Sequence, residues 1–409
     1  MKKFLFKTFL GFALIFIMFF GITMCLEYKN KDKINSEVNV QVQVVDGKIQ
    51  TPENPDKVEA NYEFSKSYFY LGYIIVIITP LLFKAYGGIE VVKNKNFKHK
   101  WVQGLVLSLL FLIFSWVLTF PRSFFSSFYR ARLVGLSNES FYNYITGNII
   151  NNSIDILTNL PILIIFYLIY LRFNKWYLIV GIITIGLYIG GNYIYPYLDE
   201  IQNNLVPMEE GEIKEKVLEL AENVGIKNLQ VMVIPKSEET SSINAYMTGM
   251  GKSRRIVFWD TTLKQLNEQE IISVAAHEMG HYKLKHIQKS MVLSILTSLM
   301  ALILLNAIME KHKGKNYRNI DNLSKLIFIF NLITLFTTPI EQGYSRKIEI
   351  EADKFAIEKT GDYYTNGALE IKFIKSNLSP VDVDKLYKYF AYSHPTTKER
   401  IEISNSYAN

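Results

Sequence analysis

The sequence predicts a mainly α-helical, multi-pass membrane protein with about seven transmembrane helices. Hydrophobic residues make up 49% of the 409 residues. They are concentrated in runs of about 20 residues, the length that crosses the hydrocarbon core of a bilayer as a helix. Between the fifth and sixth runs, and again after the seventh, the chain is polar and strongly charged. These two segments predict a folded portion outside the membrane.

The distribution of apolar residues divides the chain into four regions. Residues 1–197 form an N-terminal membrane region, and residues 198–286 form the first extramembrane part. Residues 287–343 form a hairpin of the sixth and seventh membrane helices, and residues 344–409 form the second extramembrane part. The five helices expected in the first region cover residues 4–26, 67–90, 101–120, 154–171 and 176–197.

The first apolar run has two interpretations. Lys2, Lys3 and Lys7 precede it, as in a secretory signal peptide. The run is long for a signal peptide and no A-x-A-like cleavage site follows it, so an uncleaved membrane helix is favoured. The polar residues 27–66, with a short alternating strand pattern at 39–45, are expected as a loop outside the bilayer. A second loop, rich in aromatic residues, is expected after the third run.

The formal net charge is +7, from 45 Lys and Arg against 38 Asp and Glu. In a membrane protein this surplus is typical of loops that contact anionic headgroups, and the sequence contains no nucleic-acid-binding motif. The basic clusters fall on one side in a seven-helix count, opposite the extramembrane parts; they comprise residues 2–7, 93–100, 172–175 and 311–318. The positive-inside rule then places the extramembrane parts away from the cytoplasm. One missed or cleaved helix would reverse that count, so the side stays open.

Three segments of residues 198–286 predict regular structure outside the membrane. Residues 209–223 are charged, with apolar residues at helical spacing, and predict an amphipathic helix. Residues 229–235 predict a strand, and residues 241–263 predict two more strands joined by a Gly-rich, basic turn. Cys25 is the only cysteine of the chain, so no intramolecular disulfide can form.

A helical pattern after these strands contains the sequence HEMGH, residues 277–281. His277 and His281 are four residues apart and therefore share one helix face, at the spacing that presents two imidazole nitrogens to a tetrahedral zinc. Glu278, between them, can take a proton from a zinc-activated water. Histidine occurs only six times in the chain, so a chance HExxH is improbable. The motif predicts a site for one zinc ion per chain.

A catalytic zinc requires a third protein ligand. His286 lies nine residues after His277, but its position favours an interfacial residue at the end of the helix. In the segment EIEADKFA, Glu349 and Glu351 compete as the ligand, and Asp353 can hold a ligand histidine through its second ring nitrogen. An antiparallel hairpin of the sixth and seventh helices would bring this segment back beside HEMGH.

Four segments, in this order, resemble the Ste24-type CAAX prenyl proteases, which are integral-membrane zinc metallopeptidases of family M48. The segments are NAYMTGMGKSRRIVFWDTTL, HEMGHYKLKH, SRKIEIEADKFA and YSHPTTKERI, and GLSNESFYNY in the N-terminal half is also similar. The resemblance covers nearly the whole chain. It implies seven membrane helices around a chamber and a zincin-like (gluzincin) metallopeptidase portion that contains a small β-sheet.

The resemblance implies roles for the residues of the predicted metal site. His277, His281 and Glu351 would bind zinc. Glu278 would be the general base that activates water and later passes its proton to the leaving amine. Asp353 would support a ligand histidine from behind.

The resemblance also implies residues that contact the substrate. Asn244, Ala245 and Tyr246 match an edge strand that aligns the substrate backbone by β-addition. His394 would lie in the active site and stabilise the oxyanion of the tetrahedral intermediate. Arg400 is a weaker candidate, for either substrate or structural contacts.

The implied reaction is hydrolysis of peptide bonds near the C-terminus of membrane-associated or prenylated proteins. The location expected for the chain is a bacterial cell membrane. One alternative is an M48 quality-control protease that degrades misfolded membrane proteins, although those proteases usually have fewer membrane helices. An alternative of another class is a transporter or receptor with a structural zinc, which has little support because the spans contain few ionisable residues. The physiological substrate and the oligomeric state stay open.

Overall fold

The computed structural model describes residues 1–249, 251–314 and 317–408, in which helices dominate. Seven helical segments of the described residues are long and apolar enough to cross a membrane, which confirms the predicted fold class. They are Lys2–Lys29, Asp56–Ala85, Lys100–Leu133, Phe141–Arg172, Trp176–Asn203, His286–His312 and Ile320–Thr360. Their packed side chains form a continuous apolar core that includes Phe83, Phe114 and Trp176.

The N-terminal half contains the first five of these segments. Its elements are α1 (Lys2–Lys29), α2 (Lys31–Ile34), β1 (Val44–Val45), β2 (Lys48–Ile49), α3 (Asp56–Ala85), α4 (Gly88–Lys93), α5 (Lys100–Ser123), α6 (Arg130–Leu133), α7 (Phe141–Arg172) and α8 (Trp176–Asn203). Helix α3 begins earlier than the predicted residue 67 because the hydropathy pattern marks only its apolar part. Beyond that part, ion pairs hold the polar ends of the helices together: Lys29–Glu63 at 2.8 Å and Lys33–Glu59 at 2.5 Å.

The loop predicted after the third apolar run is wrong over most of its length. A π-helical segment, Phe124–Tyr129, continues α5 into α6, and α7 begins at Phe141 rather than at residue 154. The aromatic side chains that suggested an interface pack on one another instead. The Phe128 and Tyr144 rings, for example, are 4.9 Å apart and join the π-helical segment to α7.

The first extramembrane part is a small sheet covered by helices. Its elements are β3 (Val206–Pro207), α9 (Glu212–Asn223), β4 (Gln230–Ile234), β5 (Ala245–Thr248), β6 (Arg255–Trp259), α10 (Asp260–Gln265) and α11 (Glu268–Lys283). The strand order is β3-β4-β6-β5; β4 and β6 are parallel and the other pairs antiparallel. The core lies between the sheet and α9 and α11, where Ile256, Phe258 and Met279 are fully buried. Strand β5 lies at the edge of this sheet.

The C-terminal half contains α12 (His286–Lys313), α13 (Leu323–Thr360), α14 (Tyr363–Asn377), α15 (Lys385–Ala391) and α16 (Thr397–Asn405). Helix α13 has 38 residues and crosses the expected boundary at 343/344 without a break. At 1.5 Å per residue it is about 57 Å long, nearly twice the hydrocarbon core of about 30 Å. Its C-terminal half therefore projects from the bilayer and carries the EIEADKFA segment into the extramembrane portion.

Basic segments that are distant in sequence meet at the opposite end of the bundle. Lys93 forms an ion pair with Asp321 at 2.7 Å, and Lys7 Nζ donates to the carbonyl oxygen of Ala85 at 3.3 Å. These contacts place the N-terminal segment, the connection between the second and third membrane segments and the connection between the sixth and seventh together. Lys315, in the predicted 311–318 cluster, lies outside the described residues.

The polar segment 27–66 packs against the C-terminal helices. The predicted strand at 39–45 is reduced to β1, which pairs with β2 in a small hairpin. The Ile49 backbone N–H donates to Asn405 Oδ1 at 2.9 Å, and Asn405 Nδ2 donates to the Ile49 carbonyl oxygen at 2.8 Å. Tyr62 Oη donates to Asp384 Oδ2 at 2.6 Å. This segment therefore ties the start of the membrane bundle to the second extramembrane part.

Candidate metal centre

Helix α11 carries both histidines of HEMGH, and a capping box defines its start. Asn267 Oδ1 accepts from the Glu270 backbone N–H at 3.0 Å, and Glu270 Oε2 accepts from the Asn267 N–H at 2.8 Å. Near the other end, a Cβ on Gly280 would lie 3.1 Å from Phe355 Cδ1 of α13. The missing side chain at residue 280 therefore lets α11 and α13 approach closely.

The close approach brings together His277, His281 and Glu349, whose candidate ligand atoms all lie within 4.8 Å of one another. The two histidine Nε2 atoms are 3.1 Å apart. Glu349 Oε2 lies 3.3 Å from His277 Nε2, and Glu349 Oε1 lies 3.4 Å from His281 Nε2. Two imidazole nitrogens and one carboxylate are a donor set typical of catalytic zinc sites, which keep a fourth position for water.

The structure places Glu349, rather than the predicted Glu351, beside the two histidines. The reason is helical spacing, because Glu349 and Asp353 are four residues apart and share one face of α13, whereas residues two apart do not. Glu351 points elsewhere, and its Oε2 lies 3.2 Å from His286 Nε2. The sequence contained a signal for this choice. If Asp353 supports one ligand histidine, the third ligand must share its helix face, and Glu349 does so whereas Glu351 does not.

The charges of the cluster fit a bound cation. Glu349 is 6% exposed, and its Oε2 accepts no hydrogen bond from the described part of the chain. A buried carboxylate oxygen without a donor is costly unless a positive charge compensates it. Burial lowers the pKa of His277, but Asp353 and Glu349 outweigh burial and raise that pKa to about 10. The acids thus favour a positive charge at His277, carried either by a proton or by a metal ion.

Behind His277 lies a chain of buried charges. His277 Nδ1 is 2.9 Å from Asp353 Oδ1, the acid that the sequence analysis named as a support for a ligand histidine. Arg400 Nε donates to Asp353 Oδ2 at 2.8 Å, and Arg400 Nη1 lies 2.9 Å from Glu370 Oε1. Asp353 is fully buried and Glu370 is 4% exposed. Burial, reinforced by Asp353, raises the pKa of Glu370 to about 7 against the opposing effect of Arg400.

Of the two alternatives expected for Arg400, substrate or structural contacts, its observed contacts are structural. It lines the cavity beside the cluster, but its guanidinium nitrogens contact Asp353 and Glu370. Glu370 was missed by the sequence analysis because nothing in its local pattern distinguishes it from other acids on amphipathic helices. Only the packing of α14 against α16 brings it to Arg400.

Glu278 lines the same cavity as His277. Burial raises the pKa of Glu278, against the opposing effect of the two neighbouring histidines and of the Met247 backbone N–H. A carboxylate whose pKa is shifted towards neutrality is suited to take up a proton and release it again. The Met247 contact also places edge strand β5 directly beside this carboxylate.

The cavity has a volume of about 550 Å³ and contains most of the predicted substrate residues. Asn244 and Ala245 line it, but Tyr246 points to the other face of the sheet, as alternation along a strand requires. Tyr246 Oη donates to Asp199 Oδ2 at 2.5 Å. The Tyr246 side chain therefore does not face the cavity, whereas its backbone belongs to edge strand β5, as the predicted backbone pairing requires.

His394 reaches the cluster from the segment that follows α15. Its exposed side chain lines the cavity, with Nε2 3.5 Å from Glu349 Oε2 and Nδ1 2.8 Å from Ser393 Oγ. Arg346, on α13, fixes this segment by donating to the carbonyl oxygens of Lys388 and Tyr392 at 3.0 and 2.7 Å. The structure therefore brings His394 to the side of the cavity where the metal cluster lies.

Comparison with known proteins extends these observations to the whole chain. The family model "Peptidase family M48" matches residues 207–406, and the model "CAAX prenyl protease N-terminal, five membrane helices" matches residues 51–199. An uncharacterized metalloprotease, YhfN, from Bacillus subtilis is 31% identical over 59% of this chain and 59% of its own length. CAAX prenyl protease 1 from Saccharomyces cerevisiae is 29% identical over 69% of this chain and 67% of its own length. The alignment to YhfN thus spans less than two thirds of that relative.

A solved structure shares the fold. The crystal structure of S. mikatae Ste24p superposes with a TM-score of 0.75, covering 97% of this chain and 98% of that one, at 24% sequence identity. Both proteins therefore share the fold, including the membrane helices and the extramembrane portion.

Proposed function

Because the chain belongs to peptidase family M48, with the N-terminal membrane region of the CAAX prenyl proteases, we propose that it is a zinc-dependent membrane endopeptidase. Its proposed reaction is the hydrolysis of peptide bonds near the C-terminus of membrane-associated or prenylated proteins. The observation that carries the proposal is the cluster of His277, His281 and Glu349 beside a cavity that Glu278 also lines.

In the proposed mechanism, His277, His281 and Glu349 hold the zinc ion. A zinc ion held there supplies Lewis acidity, which favours ionisation of water and polarises a carbonyl group. Glu278 takes the proton of the attacking water and passes it to the leaving amine. His394 donates a hydrogen bond to the oxyanion that develops on the scissile carbonyl.

The substrate backbone is proposed to lie along β5. This strand is at the edge of its sheet and runs beside the metal cluster, so its free backbone groups can pair with an extended peptide. Asn244 and Ala245 then contact the peptide through the cavity wall. The side chains of Tyr246 and Arg400 take no direct part, since one contacts Asp199 and the other contacts buried acids.

The membrane region offers space for an apolar group. A second cavity, of about 770 Å³, lies among the membrane helices and is lined mainly by apolar side chains such as Phe111, Leu163 and Phe330. An apolar substrate segment or a lipid chain placed among such side chains stays out of water, which is favourable in proportion to the buried area. This supports a membrane-associated substrate for the proposed peptidase.

The test compares the purified wild type with Glu278→Gln. Each protein is analysed for zinc content and for cleavage of a farnesylated CAAX peptide and of the same peptide without the lipid. We expect Glu278→Gln to retain zinc and to lose activity by about 10²- to 10⁴-fold, the usual contribution of a general base. Glu219→Gln, an exposed change on α9, is the matched control and should cleave like the wild type.

Two results would contradict parts of the proposal. Equal cleavage by wild type and Glu278→Gln would exclude hydrolysis through this site. Cleavage of both peptides at the same rate would remove the preference for prenylated substrates but leave the peptidase activity in place.

A further inference from the structure

His286 is the feature of the metal centre that the proposed mechanism does not use. Its side chain is only 1% exposed, and both ring nitrogens have partners. His286 Nδ1 lies 3.0 Å from His281 Nδ1, and His286 Nε2 lies 3.2 Å from Glu351 Oε2. The His281 and His286 rings meet edge to face, with centroids 5.0 Å apart. A histidine and a carboxylate therefore stand in series behind the second histidine of HEMGH.

The chain is bent to make this contact. Helix α11 ends at Lys283, and Lys285 adopts a left-handed conformation with φ of 58° before α12 begins at His286. In one continuous helix, residues 281 and 286 would be rotated by about 140° from each other, at 3.6 residues per turn. A left-handed backbone is unfavourable for a residue other than glycine, so surrounding contacts must maintain it. The bend at Lys285 brings His286 back onto the ring of His281.

The hydrogen-bond directions in this series follow from one condition. His281 Nε2 faces His277 and Glu349, so Nε2 is the nitrogen available to a metal. The remaining nitrogen, Nδ1, then carries the proton and donates it to His286 Nδ1. His286 must in turn carry its proton on Nε2, which donates to the Glu351 carboxylate. Each group has one defined role, and no proton is left without an acceptor.

We propose that His286 and Glu351 are positioning residues that fix the ring orientation and the tautomer of His281 for metal binding. The inference rests on the metal site of the proposed function, and it deepens that function by naming the support of the second histidine. Groups that accept the free N–H of a ligand histidine typically change metal affinity by 10- to 100-fold when removed. Glu351, expected from the sequence as a ligand, thus acts two hydrogen bonds away from the metal.

The test measures zinc affinity of the full-length protein in detergent, by competition with a chelator and without substrate. His286→Leu removes the acceptor and should weaken zinc binding by about 10- to 100-fold. His286→Asn places a side-chain oxygen near the position of the lost Nδ1 and should restore most of the affinity. Glu351→Gln keeps an oxygen acceptor for His286 and should bind zinc like the wild type, whereas Glu351→Ala should bind it more weakly. The matched control is His312→Leu, an exposed change on the same helix.

A spectrum separates positioning from packing. Cobalt substituted for zinc has visible absorption bands that respond to the geometry of its ligands. We expect these bands to change in His286→Leu and to return towards the wild-type bands in His286→Asn. Wild-type affinity in His286→Leu, or equal losses in His286→Leu and His286→Asn, would overturn the inference. No step of this test uses cleavage. If the wild type cleaves no peptide but the variants show the expected order of zinc affinities, only the proposed peptidase function is contradicted.

Discussion

The two histidines of the candidate metal centre are supported in different ways by different parts of the chain. His277 backs onto Asp353, which Arg400 of α16 holds from behind, whereas His281 backs onto His286 at the start of the next helix. The first support is a buried chain of charges assembled from α13, α14 and α16. The second begins with a neutral ring only five residues away.

Because the two supports differ in charge, we expect substitutions in them to affect folding and metal binding to different extents. Removing one member of a buried ion network leaves an uncompensated charge, which is strongly destabilising. Removing the acceptor behind His281 leaves only one N–H without a partner, which costs about 1–3 kcal/mol. Changes behind His277 should therefore lower both stability and metal affinity, and changes behind His281 should act mainly on the metal.

The largest effect is expected from Glu349, the acid that contacts both histidines. Glu349→Gln should reduce bound zinc from about one ion per chain to a small fraction, because it removes the carboxylate that contacts both histidines. Glu351→Gln should retain about one ion per chain. Metal analysis of both purified variants checks this, and zinc loss in Glu351→Gln alone would restore Glu351 as the third ligand.

A second large effect is expected from Arg400→Met. Asp353 and Glu370 would both lose their buried cation, so the free energy of unfolding should fall by about 3–5 kcal/mol. Thermal and denaturant unfolding in detergent, followed by tryptophan fluorescence, measures the change. Lys398→Met, an exposed change on the same helix, should have little effect. Equal stability of Arg400→Met and wild type would show that the charged support does not contribute to folding.

The smallest expected effect is a pH dependence confined to the charged support. The pKa of Glu370 is raised from 4.5 to about 7 in the folded protein. The folded state therefore holds this proton more tightly than the unfolded state, and the resulting stability is complete below pH 4.5 and is lost as the pH rises through about 7.

Unfolding measured from pH 4.5 to pH 8 in wild type and Glu370→Gln isolates this contribution. The variant should lack the part of the slope that the titration of Glu370 produces. Glu402→Gln, an exposed change on α16, should keep the wild-type slope. The same slope in wild type and Glu370→Gln would contradict the raised pKa.

The elements with strong local signals were predicted from the sequence, and their lengths were not. Residues 229–235 and 241–263 indicated the strands that became β4, β5 and β6. Helices α3 and α7 extend well beyond their apolar runs because a helix continues into water wherever polar partners such as Glu63 are available. Hydropathy measures how long a segment stays in the bilayer and carries no information on where its helix ends.

The sequence by itself determined the membrane helices and the HEMGH helix. It also determined that the segment EIEADKFA comes back beside that helix. These follow from local properties: runs of apolar residues, an i and i+4 pair of histidines, and an antiparallel hairpin. Only the tertiary structure brings Glu349, rather than Glu351, beside the two histidines, because that placement depends on which face of α13 meets α11. The contact between His286 and His281 likewise depends on the tertiary structure, because it requires the left-handed conformation of Lys285. Spacing fixes which residues can share a helix face, whereas packing alone fixes what that face contacts.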